Sequence, residues 1–261
     1  MTTFASRYGP WAVVAGASEG LGAEFARQAA ARGLNVAIVA RRADALEVLA
    51  AELRTARGVA VRTLAIDLAS PDAALRIAEV MADVEVGLVI HNAAFAPSGE
   101  FLQLSLEDHL RSIAVNATMP VSLAHHFGQA MAARGRGGIV LLSSLTAFQG
   151  APYLATYGAT KSFNLSLAEA LWFELRGRGV DVLAACPGAT VTPNFLRVSP
   201  AGAPGQLAPA VVVADALAQL GHGPFTIAGA FNRFASLALR RVLPRRLAVS
   251  IMGAQGRKLL P

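Results

Sequence analysis

Seven short apolar runs punctuate the chain: Trp11–Ala15, Asn35–Ala40, Val61–Ile66, Gly87–His91, Gly138–Ser143, Val180–Cys186 and Phe225–Ala228. None alternates strictly between apolar and polar, and each is too short for a buried helix. That is the pattern of strands buried on both faces. Between them lie helical segments with their own stop signals. Gly22–Arg32 runs into Gly33, Ala43–Arg57 into Gly58, and Tyr157–Arg176 into Gly177. Strands alternating with helices predict an α/β fold, a single-domain, doubly wound parallel sheet of about seven strands with helices on both faces. The domain is expected to span 1-230, with 231-261 as a tail packed on it or extending from it. Ser199–Pro209, rich in Pro, Gly and Ala, predicts a mobile loop. No internal repeat or low-complexity segment interrupts this order.

Composition supports one large core. Of 261 residues, 54% are hydrophobic and 15% charged, which excludes a disordered or linker-rich chain. No apolar run reaches the roughly 18–20 residues that span a bilayer. The start, MTTFASRYGP, lacks a basic stretch followed by an apolar one, so a soluble, cytoplasmic protein is expected. Cys186 is the only cysteine, which excludes an intrachain disulfide and a cysteine-rich metal site.

The net charge of +6 is unevenly placed. Up to Gly221 there are 16 basic and 17 acidic residues; from His222 onward there are seven basic residues and no acid. The positive charge belongs to the tail, which argues against a nucleic-acid-binding body. Phe231–Ile251 mixes Phe, Leu and Val with paired arginines and is broken at Pro244. It predicts two amphipathic helices, covering a site entrance or meeting an acidic membrane surface. A solvated face or a subunit contact is the plainer reading. Only Lys161 and Lys258 are lysines; the other 21 cations are arginine.

The first strand runs into Gly16-Ala17-Ser18-Glu19-Gly20-Leu21-Gly22. A glycine-rich turn between strand and helix lets the backbone approach a pyrophosphate, whose charge meets the helix N-terminal N–H groups. Tyr157 and Lys161 stand four apart on a predicted helix, so both project from one face. Tyrosine alone is a poor acid or base at neutral pH. A cation about 4 Å away is worth roughly 4 kcal/mol at an effective dielectric of about 20, enough to draw the phenol toward neutrality. His125 and His126 are adjacent on a predicted helix and point about 100° apart, so no shared metal is expected.

Further pieces follow in order: Asp67, His91-Asn92-Ala93-Ala94, Asn116, Ser143-Ser144, Tyr157-Gly158-Ala159-Thr160-Lys161 and Pro187-Gly188-Ala189-Thr190-Val191-Thr192. With the G-x-x-x-G-x-G turn, these pieces at strand ends over roughly residues 8–220 resemble the short-chain dehydrogenase/reductase family. The resemblance implies a Rossmann-like oxidoreductase fold and a homo-oligomer. It implies that Tyr157 exchanges a proton with the substrate oxygen, and that Lys161 lowers its pKa and holds the nicotinamide ribose. It also implies that Ser144 hydrogen-bonds the substrate carbonyl, while Asn116 bends its helix and holds a relay water. Ser144 is preferred to Ser143 because it lies thirteen residues before the tyrosine. Cofactor contacts are implied for Gly16, Ser18, Glu19, Gly20, Leu21, Gly22, Asp67, Leu68, Asn92, Tyr157, Lys161, Pro187, Gly188, Thr190 and Thr192. Two departures stand out: Ala94 where the family has glycine, and His91 where it has a structural asparagine, so His91 is not read as catalytic.

The second strand ends at Ala40 and is followed by Arg41 and Arg42, with no acid to bind a ribose 2′-hydroxyl. Two cations suit a 2′-phosphate and favour NADP, with NAD second. Glu19 argues mildly the other way. The openings Arg7–Val14 and Gly33–Arg41 resemble the branch that holds hydroxysteroid dehydrogenases and long-chain 3-oxoacyl-CoA reductases. Leu145, Thr146, Ala147, Phe148, Gln149, Tyr153 and Leu154, with Phe95, Phe195 and Leu196, are expected to line an apolar pocket. The expected activity interconverts a bulky lipophilic ketone and its secondary alcohol. A catalytically idle NAD(P)-binding regulator on the same fold is the alternative, which would have been free to lose Ser144, Tyr157 and Lys161.

Overall fold

A computed structural model describes residues 3–198 and 202–257. The strands are β1 (Trp11–Ala15), β2 (Asn35–Ala40), β3 (Val61–Ala65), β4 (Val86–His91), β5 (Gly137–Leu142), β6 (Val180–Ala185) and β7 (Phe225–Thr226). The helices are α1 (Phe4–Tyr8), α2 (Gly20–Ala31), α3 (Ala43–Arg57), α4 (Ala73–Val80), α5 (Leu106–Ile113), α6 (Met119–Arg134), α7 (Ala155–Arg176), α8 (Pro193–Val198), α9 (Pro209–Gln219), α10 (Ala230–Leu237) and α11 (Arg245–Arg257). The strands form one sheet in the order β3-β2-β1-β4-β5-β6-β7, and every pairing is parallel.

The lack of polar alternation has its explanation in the two cores. Within β1, Ala12 and Val14 join a core packed by α2, α3 and α9 through Phe25, Leu46, Leu49 and Val213. Trp11, Val13 and Ala15 face the opposite core, filled by α4, α6 and α7 through Ile77, Leu123, Phe127 and Leu165. Both faces are covered, so both sets of alternating positions are apolar. The expected helix ends hold as well: Gly33 and Gly58 take φ of +84° and +66°, where a Cβ would be strained.

Two sequence expectations need correction. The last strand is only Phe225–Thr226, because the chain leaves the sheet edge and turns at Gly229, φ +84°. The loop expected to be mobile over Ser199–Pro209 is partly anchored. Residues 199–201 lie outside the described residues, but Leu207 donates its N–H to Ala189 O at 3.0 Å and accepts from Val191 N–H at 2.9 Å. Asn232 also donates to Gly205 O at 3.0 Å.

The tail forms two helical stretches broken before Arg245. The first is α10, continued by a π turn over Ala238–Val242; the second is α11. They lie on the loop that follows β5. The Arg240 guanidinium stacks 4.1 Å from the centre of the Phe148 ring. Arg245 donates to Phe148 O at 3.0 Å, and Arg257 to the Tyr153 hydroxyl at 3.1 Å. Among the described residues, no helix is long and apolar enough to cross a membrane.

Candidate active site

The strand order reverses between β1 and β4, whose carboxyl ends open the crevice where such sheets bind ligands. The glycine turn lies there. Gly16 has φ +86°, and a Cβ on it would stand 2.5 Å from the Ala93 backbone. A Cβ on Gly22 would meet Gly16 O and the Asn92 amide, well inside contact distance. Asn92 donates to Gly16 O at 2.8 Å, tying the turn to the end of β4. Gly20, φ +59°, packs beneath Thr192. Glu19 occupies the α2 N-cap without a side-chain cap bond, so the first N–H groups of α2 stay open to an anion. These residues fit a dinucleotide pyrophosphate. Gly22→Ala is expected to lower cofactor affinity by roughly ten- to a hundred-fold, the scale of forced overpacking. Calorimetric titration with reduced cofactor measures this, and unchanged affinity would contradict the cradle.

Beside the turn, Arg42 is already engaged. It donates to Glu19 at 2.7 Å and to Ser18 Oγ at 3.2 Å. Arg41 is exposed and makes no hydrogen bond among the described residues. Asp67 accepts from Arg111 at 2.6 Å and from Ala69 N–H at 3.0 Å. Despite partial burial, those partners hold its carboxyl below the usual range. Leu68 is buried in the core, and Leu21 packs partly buried against the other. The Leu68 side chain is taken up by packing, while Leu21 keeps part of its surface exposed. Pro187 O accepts from Leu145 N–H at 3.1 Å, Thr190 turns its hydroxyl to Gly188 O at 3.1 Å, and Gly188 packs against the Asn232 side chain.

Ser144, Tyr157, Lys161 and Asn116 come together beyond the end of β5. Ser144 opens a short 3₁₀ turn, Leu145–Phe148, and accepts from Thr146 N–H at 3.2 Å. Lys161 is 2% exposed, and its ammonium donates to Leu142 O at 2.7 Å. It lies 5.5 Å from the centre of the Tyr157 ring. Asn116 sits in a π turn, Ala114–Thr118, that joins α5 to α6; such turns cluster at functional sites. Its amide donates to Phe95 O at 2.9 Å and to Ser112 and Thr160 hydroxyls at 3.1 Å each, while accepting from Phe95 N–H at 2.8 Å. Ser143 is structural: its hydroxyl donates to the Lys161 backbone carbonyl at 2.7 Å.

The protonation picture differs from the sequence expectation. Burial pushes the Tyr157 phenol up, with only the Ser144 hydroxyl pulling it down. Burial also lowers the Lys161 ammonium to about 8. The same low-dielectric pocket disfavours both charged forms, so the lysine does not by itself bring the phenol toward neutrality. His91 is fully buried at the end of β4, with neither ring nitrogen hydrogen-bonded. Burial first, and Lys161 second, depress it to about 3, so it is neutral at physiological pH.

Several residues of the expected pocket wall also pack into the protein. Leu145, Ala147 and Phe148 pack back against the core beneath the sheet, and Phe148 also meets Phe225 edge-on at 5.9 Å. Each is only partly buried, so part of its apolar surface lies outside the core. Tyr153 takes φ +65°, a costly conformation for a bulky residue, with its carbonyl held by Gly99 N–H at 2.9 Å. Neither that strain nor the contacts of Arg111 and Arg197 has a local sequence signal. A large groove, about 700 Å³, lies elsewhere, on the outer faces of α5 and α7 between Phe101, Leu102, Leu106, Leu110 and Phe163. His125 pairs with Gln129, and His126 stacks edge-on against Phe127. Among the described residues, no group of three or more His, Cys, Asp or Glu could hold a metal.

A parallel sheet with this strand order, a glycine cradle at its switch point and a Ser-Tyr-Lys cluster beside it define a nicotinamide-dependent oxidoreductase. Residues 10–201 match the short chain dehydrogenase family model, and the chain belongs to that family. Family members act on CH–OH groups, and the fold binds NAD(P). The chain is 34% identical over 233 residues to a 7beta-hydroxysteroid dehydrogenase of Collinsella aerofaciens, covering 87% of this chain and 89% of that protein. A structure described as giving insights into 7beta-hydroxysteroid dehydrogenase stereoselectivity superposes with a TM-score of 0.91 at 31% identity, covering 96% and 99% of the two chains. A short-chain dehydrogenase from Sphingobium yanoikuyae in complex with NADPH gives a TM-score of 0.78 at 31% identity, covering 87% and 91%.

Proposed function

We propose that the protein interconverts a bulky lipophilic ketone, steroid-like or 3-oxoacyl, and its secondary alcohol with NADP(H). The carrying observation is the convergence of Ser144, Tyr157 and Lys161 at the end of β5, beside the glycine cradle. When bound, the dihydronicotinamide supplies the hydride to the carbonyl carbon. Ser144 donates a hydrogen bond to the carbonyl oxygen, and Tyr157 delivers the proton that completes the alcohol. Burial keeps Tyr157 protonated, which suits it as the acid in reduction. Lys161, free to exchange Leu142 O for ribose hydroxyls, steadies the phenolate as it forms. Asn116 ties the segment after β4 to α7 through Phe95 and Thr160.

Arg41 and Arg42 with no acid after β2 support the 2′-phosphate, and the NADPH-bound relative supports the same choice. Steroid dehydrogenases among the relatives support the lipophilic substrate. The apolar groove on α5 and α7 supports a homo-oligomer, because exposed Leu102, Leu106 and Leu110 would gain from burial. The arginines that grip Phe148 and Tyr153 support the tail as a strap over the loop after β5 rather than a membrane anchor. A screen of ketones with NADPH is expected to give turnover on steroid-like or long-chain 3-oxo substrates. A clear preference for sugars or small polar acids would contradict the substrate reading.

A further inference from the structure

Glu19 stands between two arginines from different walls of the crevice. Arg42, at the start of α3, donates to one carboxylate oxygen at 2.7 Å. Arg197, on α8, approaches the other at 3.6 Å and also donates to Asn194 at 3.1 Å. Thr192, just before α8, rests against Gly20 in the same turn and caps Phe195 N–H at 3.2 Å. The carboxylate therefore joins the glycine turn, the segment after β2 and the segment after β6.

This arrangement has a consequence for the reading of Arg42 as a 2′-phosphate ligand, on which it rests. One guanidinium nitrogen, Nη2, donates both side-chain hydrogen bonds, to Ser18 and Glu19. A phosphate arriving there must displace the carboxylate or share the cation with it, against like-charge repulsion. Arg41 makes no such hydrogen bond; the Asp67 carboxylate feels its charge but is itself paired with Arg111. We propose that Glu19 and Arg197 are specificity-determining residues: Glu19 competes with the 2′-phosphate for Arg42, and Arg197 takes up the carboxylate when Arg42 turns to the phosphate. Arg197 needs to close a gap of about an ångström to make a full ion pair with Glu19. With NADH, which has a 2′-hydroxyl, Glu19 keeps Arg42 and the exchange does not occur.

The test is calorimetric affinity for NADPH and NADH in wild type, Glu19→Gln, Arg197→Ala and the double variant, each checked for folding by circular dichroism. Glu19→Gln is expected to tighten NADPH by roughly two- to five-fold, the scale of one exposed ion pair, and to leave NADH unchanged. Arg197→Ala is expected to weaken NADPH selectively by a similar factor, and to have no effect on a Glu19→Gln background. The wild-type ratio tests the cofactor reading: NADH binding as tight as NADPH overturns that alone. The change of ratio between variants tests this proposal, whichever cofactor the wild type prefers. An unchanged or lower NADPH preference in Glu19→Gln overturns it. Should Glu19→Gln unfold, Arg197→Ala decides: equal affinities for both cofactors relative to wild type overturn the exchange.

Discussion

Replacing Lys161 with arginine is expected to leave the fold intact and to slow turnover by about 100-fold or more. Composition makes the test sharp, since this chain uses arginine for 21 of its 23 cations. A surface lysine should accept the change silently, as is expected for Lys258, which lies outside the described residues. Lys161 is almost fully buried between α7 and β5, and its ammonium donates to Leu142 O at 2.7 Å. A guanidinium is planar and wider, and cannot keep that bond, stay by Tyr157 and reach a ribose together. Two charge-assisted hydrogen bonds lost by the ammonium, at about 1.5 kcal/mol each, together amount to about 3 kcal/mol. At about 1.4 kcal/mol per decade, that is roughly two decades of rate. Turnover of both variants on a ketone that the wild type reduces measures it. Near-wild-type rates in Lys161→Arg would remove the lysine from the mechanism.

The second large effect is on stability. His91 has a folded pKa of about 3 against an ordinary 6.5. The unfolded chain therefore binds a proton that the folded chain refuses over that interval. Stability from neutral His91 is fully present above pH 6.5 and falls as the pH drops toward 3. The slope approaches about 1.4 kcal/mol per pH unit. Between pH 6.5 and 5 the carboxylates remain ionised, so the imidazole dominates the window. Urea unfolding over that range is expected to show acid destabilisation in wild type and a flatter profile in His91→Asn. Equal slopes in the two proteins would contradict the assignment.

His91 also marks how far the sequence could be read. Its place at the end of a buried run was legible, and so were all seven strands within a few residues, because runs covered on both faces carry no polar alternation. Glycine stops gave the ends of α2 and α3 for a local reason, the φ that only glycine takes cheaply. The proximity of Tyr157 and Lys161 was legible as spacing on a helix. Their protonation was not, because it depends on how dry the pocket is, a property of several elements at once. The same holds for Phe148, whose ring turns to the core and to Arg240, and for Tyr153, which has a positive φ and accepts from Gly99 and Arg257. The pairing of Arg42 with Glu19 spans 23 positions and becomes visible only when β1 and β2 lie side by side.

The most direct test of the proposed reaction is single-turnover reduction of a steroid-like ketone by NADPH-loaded protein, wild type against Tyr157→Phe. The phenylalanine variant keeps the ring and loses only the hydroxyl that would deliver the proton. NADPH should bind both proteins equally. Wild type should oxidise it when the ketone is added, and Tyr157→Phe should do so at least about 100-fold more slowly, the scale of general acid catalysis. Equal rates in the two proteins, or cofactor binding with no oxidation by any bulky ketone, would contradict the account.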